Sequence, residues 1–255
     1  MNAHARAFTL LEMALVVLVI AIVASGLAVP FATQVALRRQ AETGRLLEEA
    51  REAVLGFAIA NGRLPCPASA TSRGQESFAT GSDERDGRCS HFHDGYLPGA
   101  ALGFSPLDHD GFVRDAWGLE ANRLRYAVFG SGQAVAGIAN PLTRTNGMQA
   151  AGLAGLGAAP GYLHICATGA GVTATSCGAA TNTLTRRAAF VLLSLGPNGA
   201  TVPAPGSDES RNRDGDAAFV LREASVTTDN PFDDQLTWVA TNLLASRLVA
   251  AGRLP

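Results

Sequence analysis

The densest run of hard oxygen donors in the chain is Asp208-Glu209-Ser210-Arg211-Asn212-Arg213-Asp214-Gly215-Asp216. Asn212, Asp214 and Asp216 alternate, and Glu223 falls at the twelfth place counted from Asn212. Calcium takes six to eight oxygens, and a twelve-position loop with donors at such places is one way to gather them. Two positions break that pattern. Ala217 stands where the loop needs glycine for its sharp turn, and Val220 offers no side-chain oxygen. The segment therefore reads as a solvated acidic loop in which calcium is a candidate ligand. Asp208, Asn212, Asp214 and Asp216 are its candidate donors.

A second cluster is Cys89-Ser90-His91-Phe92-His93-Asp94. Two histidines at i and i+2 on a strand share one face and could hold a transition metal, but Cys89 is better used in a disulfide. Catalysis finds little support. The chain has no G-x-S-x-G elbow, no H-E-x-x-H and no phosphate loop, so it is expected not to be an enzyme. Net charge is −2, which sets up no field favouring nucleic acid. Lysine is absent and all 20 basic residues are arginine, a bias with no function attached to it.

The four cysteines are Cys66, Cys89, Cys166 and Cys177. No two are separated by only two residues, as zinc and redox pairs usually are. An even count points to disulfides in an oxidising compartment. The favoured pairing is local, Cys66 with Cys89 and Cys166 with Cys177, although three connectivities remain open.

The elements that must carry these groups begin with an apolar run. Charged residues make up 16% of the chain, against about 25% in ordinary soluble domains, and part of that deficit lies between Phe8 and Leu37. Glu12 is the single charge in this stretch. About 20 apolar residues suffice to cross a bilayer as helix, so this run is expected to span. A secretory signal peptide cut near Ala24-Ser25-Gly26 is the competing reading. It has too long an apolar stretch, and a carboxylate inside it. Beyond the run, Leu47, Ala50, Val54 and Phe57 recur at helical steps, an amphipathic continuation to Asn61-Gly62 with Pro65 close behind. Residues 8–60 as one rod would measure about 80 Å, with bends expected at Pro30 and Gly44.

Ala7-Phe8-Thr9-Leu10-Leu11-Glu12 resembles the prepilin processing site of type IV pilins and type II secretion pseudopilins. The resemblance implies a cut between Ala7 and Phe8 by a prepilin peptidase and methylation of the new amino terminus on Phe8. Ala7 departs from the glycine usual in that family. Glu12 takes the place of the family's assembly glutamate, which would pair with the terminal amine of a neighbouring subunit. A buried carboxylate needs such a partner.

The remainder reads as a head. Residues 69–94 are rich in Ser, Gly, Asp and Arg and form a long loop. Asp115-Ala116-Trp117-Gly118 resembles the D-P-W-G core of pseudopilins, and Trp117 is expected in the core. Strands are expected at Arg123–Phe129, Tyr162–Ala167, Ala188–Leu195 and Phe219–Leu221. Residues 131–161 are taken as loop, with a short helix near Met148–Leu153. Ser194-Leu195-Gly196-Pro197-Asn198-Gly199 resembles the S-x-G-x-[DN]-G turn of pseudopilins. In major pseudopilins a loop after that turn binds calcium, which adds Asn198 to the candidate donors. The segment from Asp234 is expected to be helical through Arg247.

Together these readings predict an α+β, pilin-like fold: a long N-terminal helix, half transmembrane and half amphipathic, packed on a small antiparallel sheet. The divisions are a leader at 1–7, a transmembrane and assembly helix at 8–37, an amphipathic helix at 38–62 and a periplasmic head at 63–255. The expected function is a subunit of a type II secretion pseudopilus or type IV pilus, a minor one given its large head. Its expected place is the inner membrane as a single-pass protein, then the filament. Implied partners are the prepilin peptidase, other pilin or pseudopilin subunits, an inner-membrane assembly platform and membrane lipid. A signal-anchored periplasmic enzyme or binding module is the alternative.

Overall fold

The computed structural model of the chain describes residues 9–158 and 161–254, the side chains of 23–30 excepted. Ala7 and Phe8 lie outside the described residues. The chain divides into two units, Met1–Ala41 and Glu42–Pro255.

In the first unit, helix α1 (Leu10–Asn61) begins. Thr9 caps it. Its Oγ1 accepts the Glu12 amide at 3.2 Å, and its carbonyl accepts the Met13 amide at 3.2 Å. Thr9-x-x-Glu12 is thus one half of a capping box, with an acidic residue in the first turn where the helix dipole favours it. Every residue from Thr9 to Ile22 is exposed. Successive helical positions turn by about 100°, so among the described residues this apolar stretch is exposed on every face.

The expected membrane span is overturned here. Among the described residues, no helix is long and apolar enough to cross a membrane. The apolar stretch with described side chains runs from Leu10 to Ile22, roughly 20 Å of helix against a hydrocarbon core of about 30 Å. The described side chains resume at Phe31 and soon include Gln34, Arg38 and Arg39. The transmembrane half of the fold and the single-pass inner-membrane location are corrected accordingly.

In the second unit, the later part of α1 buries Leu47, Ala50, Val54, Leu55 and Ala58. These recur at three- and four-residue steps, which gives one apolar stripe. The helix stops at Gly62, whose φ of 68° suits the left-handed cap and whose amide returns to the Ala58 carbonyl at 2.8 Å. The orphan carbonyls of Ile59 and Ala60 accept from Arg253 Nε and Nη2 at 2.7 and 2.6 Å, so a residue close to the C-terminus closes the helix.

After the helix come strands β1 (Gly95–Tyr96), β2 (Arg125–Val128), β3 (Ala134–Val135) and β4 (Ile138–Ala139). Helix α2 (Gly147–Ala158) is broken at Gly152. Strands β5 (Leu163–Cys166) and β6 (Thr183–Ser194), the short helix α3 (Asp208–Arg211), strands β7 (Ala218–Val220) and β8 (Gln235–Ala240), and helix α4 (Thr241–Ala250) complete the order. β3 and β4 form a separate two-stranded sheet.

β6 is the spine of the six-stranded sheet. Phe190 pairs with both Val128 and Val239, and Ala188 with both Leu163 and Ala240. A strand has two edges, so β8 occupies one edge of β6 while β2 and β5 share the other. All these pairs are antiparallel, but β5 pairs with β7 in parallel. The sheet is therefore mixed and six-stranded, a second correction to the expected small antiparallel sheet. Its reason is topological. A parallel pair needs a crossover, and here β6 and α3 lie between the two strands in sequence.

Two smaller expectations are also revised. Gln235–Ala240 is strand before the chain turns helical at Thr241, because Thr237, Trp238 and Val239 pair along β6 and such residues favour a half-buried sheet. Trp117 is half-buried and outside the main apolar cluster, whereas Trp238 packs against it. The cluster is built from the α1 stripe and from Tyr126, Val128, Leu163, Ile165, Phe190, Leu192 and Val239. Cys66–Cys89 and Cys166–Cys177 are both disulfides, with Cα separations of 5.3 and 5.4 Å. The first ties the long loop to the end of α1, and the second lies beside β5 in a small satellite core.

Candidate functional site

Three segments converge beyond the end of β6: the turn at Gly196–Asn198, helix α3, and the residues leading into β8. α3 is set by Ser207, whose Oγ accepts the Ser210 amide at 3.2 Å as an N-cap. That start buries Glu209 at 2% exposure. The β6–β8 pairing brings Asp233 and Asp234 beside the turn. One carboxylate oxygen each from Glu209, Asp233 and Asp234 lie within 4.8 Å of one another.

Amides hold these carboxylates in place. Asn198 Nδ2 donates to both oxygens of Glu209, at 3.0 and 2.9 Å. The Asp233 amide donates to Glu209 Oε1 at 3.0 Å. Asn212 Nδ2 donates to Asp234 Oδ2 at 2.8 Å. Oδ1 of Asp234 is buried without a hydrogen-bond partner. Burial, then the nearby Glu209 charge, pushes the Asp233 carboxyl up to about 6, while the Asn198 backbone amide draws it down. Burial pushes Asp234 up to about 7 against the pull of the Asn212 hydrogen bond, with Glu209 adding to the rise. Crowded carboxylates in low dielectric resist ionisation for both reasons.

The structure sorts the donors expected from sequence. Asn198 and Asn212 belong to this cluster as amides that orient the carboxylates. Asp208 is spent elsewhere: it accepts the Gly169 amide at 2.5 Å and Asn230 Nδ2 at 2.9 Å, and pairs with Arg222 at 2.5 Å. Asp214 pairs with Arg211 at 3.6 Å and accepts the Asp216 amide at 3.0 Å. Asp216 instead borders a cavity of about 450 Å³ shared with His93, Tyr162, His164 and Arg186. The alternating loop is not gathered around one point. His91 pairs with Asp94 at 3.1 Å, and burial lowers His93. With Cys89 in a disulfide, the Cys-His cluster loses its thiolate.

Glu209, Asp233 and Asp234 are not among the donors expected from sequence. The Asp233-Asp234 pair at the entry to a buried strand was the available signal. Its partner Glu209 is brought near only by the fold.

The two motifs of the head meet at a second polar centre. Asp115 Oδ1 accepts the Trp117 amide at 2.9 Å, and Oδ2 accepts Asn122 Nδ2 at 3.1 Å and Ser194 Oγ at 2.6 Å. Asn122 Nδ2 also donates to the Gly196 carbonyl. Burial raises the Asp115 carboxyl against these hydrogen bonds. The Asp115 carboxylate is held on both oxygens by its neighbours, and the centre reads as a structural lock.

No family model matches the chain, and no match was found among curated proteins or solved structures.

Proposed function

We propose that the chain is a non-catalytic structural subunit of a pilin-like filament, a type II secretion pseudopilus or type IV pilus, and a minor subunit given the size of its head. A prepilin peptidase cuts between Ala7 and Phe8 and methylates Phe8. Other subunits of the same kind and an assembly platform are its partners. No membrane span enters this reading.

The observation that carries it is the exposed apolar helix surface from Leu10 to Val19 among the described residues, with Leu10 at 92% and Leu11 at 79% exposure. A helix apolar on every face needs cover, and large exposed apolar surfaces mark sites of association. Neighbouring copies of the same helix supply that cover in a filament. Glu12 is the one charge on this surface. Buried between helices it requires a counter-charge, which the amine created at Phe8 on a neighbour provides. The pairing fixes the axial register of packed apolar helices, as isolated polar groups do in coiled coils. The two disulfides suit a head that works in an oxidising compartment.

Mass spectrometry of the mature amino terminus tests the reading. A chain that starts at a methylated Phe8 supports it. An intact Met1, or a start near Ser25, overturns it. In the same assay Glu12→Ala should still be cleaved but should not enter filaments.

A further inference from the structure

We propose that the cavity of about 450 Å³ bordered by Arg186 and Asp216 binds a small zwitterion, a free α-amino acid. The site is independent of the filament reading and uses none of the carboxylates around Glu209.

Three observations converge on it. The first is a pair of opposite charges that do not meet. Arg186 and Asp216 line one cavity, and among the described lining residues they are its single cation and single anion. Neither side chain makes an ion pair or hydrogen bond with another described residue. A guanidinium carries five N–H donors and a carboxylate about four acceptor sites. A simple anion would meet Arg186 but be repelled by Asp216, and a simple cation the reverse. A molecule carrying both an ammonium and a carboxylate answers both groups at once.

The second observation is spacing. β6, β5 and β7 lie side by side in that order. Arg186 is on β6, His164 is on β5, and Asp216 stands two residues before β7. The Tyr162 amide donates to the Arg186 carbonyl at 2.8 Å, and the His164 amide to the Ala217 carbonyl at 2.9 Å, so sheet pairing holds both charges in register. Two strand spacings put their backbones roughly 9.4–9.8 Å apart. In an α-amino acid the nitrogen lies about 2.5 Å from the carboxyl carbon. Charge-assisted bonds of about 2.8 Å at each end bring the reach of the ligand to roughly 8–9 Å, which spans the two strands.

The third is the rest of the lining. Burial lowers His93 and His164 below the ordinary histidine value, and the Arg186 charge lowers His164 further. Both are therefore neutral at neutral pH, and a neutral imidazole supplies a donor and an acceptor without adding charge. The Phe129 and Tyr162 rings stand 4.6 Å apart. The Tyr162 hydroxyl is already bonded to the Leu156 carbonyl at 2.8 Å, so this side of the cavity is an apolar wall for a side chain. The volume falls in the range of small-molecule sites, and an apolar lining with a few convergent polar groups is their usual composition.

The test is calorimetric titration of the full chain with glycine, L-alanine, L-phenylalanine, L-glutamate and L-arginine. Acetate, methylammonium and glycerophosphoethanolamine are titrated in parallel. At least one amino acid should bind at one per chain, at least tenfold more tightly than acetate or methylammonium. Arg186→Gln and Asp216→Asn should each weaken it at least tenfold, while Arg85→Gln, an exposed position outside the cavity, should bind as the parent does. If a cavity variant does not fold, the N-acetylated and the amidated forms of the bound amino acid test the same claim on the parent chain. Each lacks one charge and should bind at least tenfold more weakly. Absence of heat with every amino acid overturns the site. So do capped forms that bind as tightly as the free one, or binding undiminished in Arg186→Gln. Tighter binding of glycerophosphoethanolamine than of any amino acid would assign the cavity to a lipid headgroup and overturn the proposal.

Discussion

Ser194 Oγ donates to Asp115 Oδ2 at 2.6 Å, joining positions 79 apart in sequence. One residue ends β6 and the other opens the turn that leads towards β2, so this contact locks the sheet's central strand to the loop beneath α1. The Ala116 amide extends the lock by donating to Thr43 Oγ1 of α1 at 3.2 Å.

Breaking that lock should be costly, and more so from the Asp115 side. Asp115→Ala removes the acceptor of the Ser194 hydroxyl and the Trp117 amide and one of the two bonds of Asn122 Nδ2, and unsatisfied buried polar groups cost about 1–3 kcal/mol each. Ser194→Ala removes one donor and should cost about 1–2 kcal/mol. Urea unfolding of both single variants and the double should reveal a coupling above about 0.5 kcal/mol. Strict additivity would mean the contact carries no energy of its own.

Gly196→Ala should be among the most damaging single substitutions in the head. Its positive φ disfavours any side chain by about 1 kcal/mol, and the new Cβ meets Asp233. A loss of about 2–4 kcal/mol is expected, in the range of overpacking and backbone strain together. A melting temperature within a degree of the parent would show that the turn can open freely.

The two disulfides should differ in value. Loop closure in the unfolded chain gives about 3.4 kcal/mol for the 23-residue separation of Cys66 and Cys89, and about 2.8 kcal/mol for the 11-residue separation of Cys166 and Cys177. Paired Cys→Ala substitutions, compared by chemical denaturation, should follow that order. A larger loss at Cys166–Cys177 would place the dominant effect in the folded satellite core instead.

Acid stability should depend on Asp108. Burial raises its carboxyl, but the Phe112 amide at 2.9 Å, Arg123 at 2.8 Å and Arg114 at 3.1 Å more than reverse this and bring it down to about 2. A folded value below the unfolded one, near 3.9, means that the unfolded chain takes up its proton first as pH falls. The stabilisation is complete above about pH 4 and is lost as pH drops towards 2. Asp108→Asn should flatten that limb of the stability–pH curve while lowering stability at neutral pH. An unchanged limb would assign acid sensitivity to other carboxyls.

Local chemistry made part of this protein legible without coordinates. Three- and four-residue apolar steps marked the buried stripe Leu47–Val54, Asn61-Gly62 marked the end of α1, and β-branched and aromatic runs marked β2, β5, β6 and β7 but not the other four strands, because each of these signals is written within a few neighbours. Short Cys spacings favoured the local disulfides for the same reason. Tertiary structure alone decided the rest. Parallel pairing of β5 with β7, the strand at Gln235–Ala240, and the meeting of Glu209 with Asp233 and Asp234 depend on residues far apart in sequence. No periodicity encodes which distant edge a strand will join. The hard-oxygen run that drew attention first was therefore divided by the fold. Asp208 turned to Arg222 and Asp214 to Arg211, while Glu209 of the same run was carried to two aspartates that only β8's pairing with β6 could bring within reach.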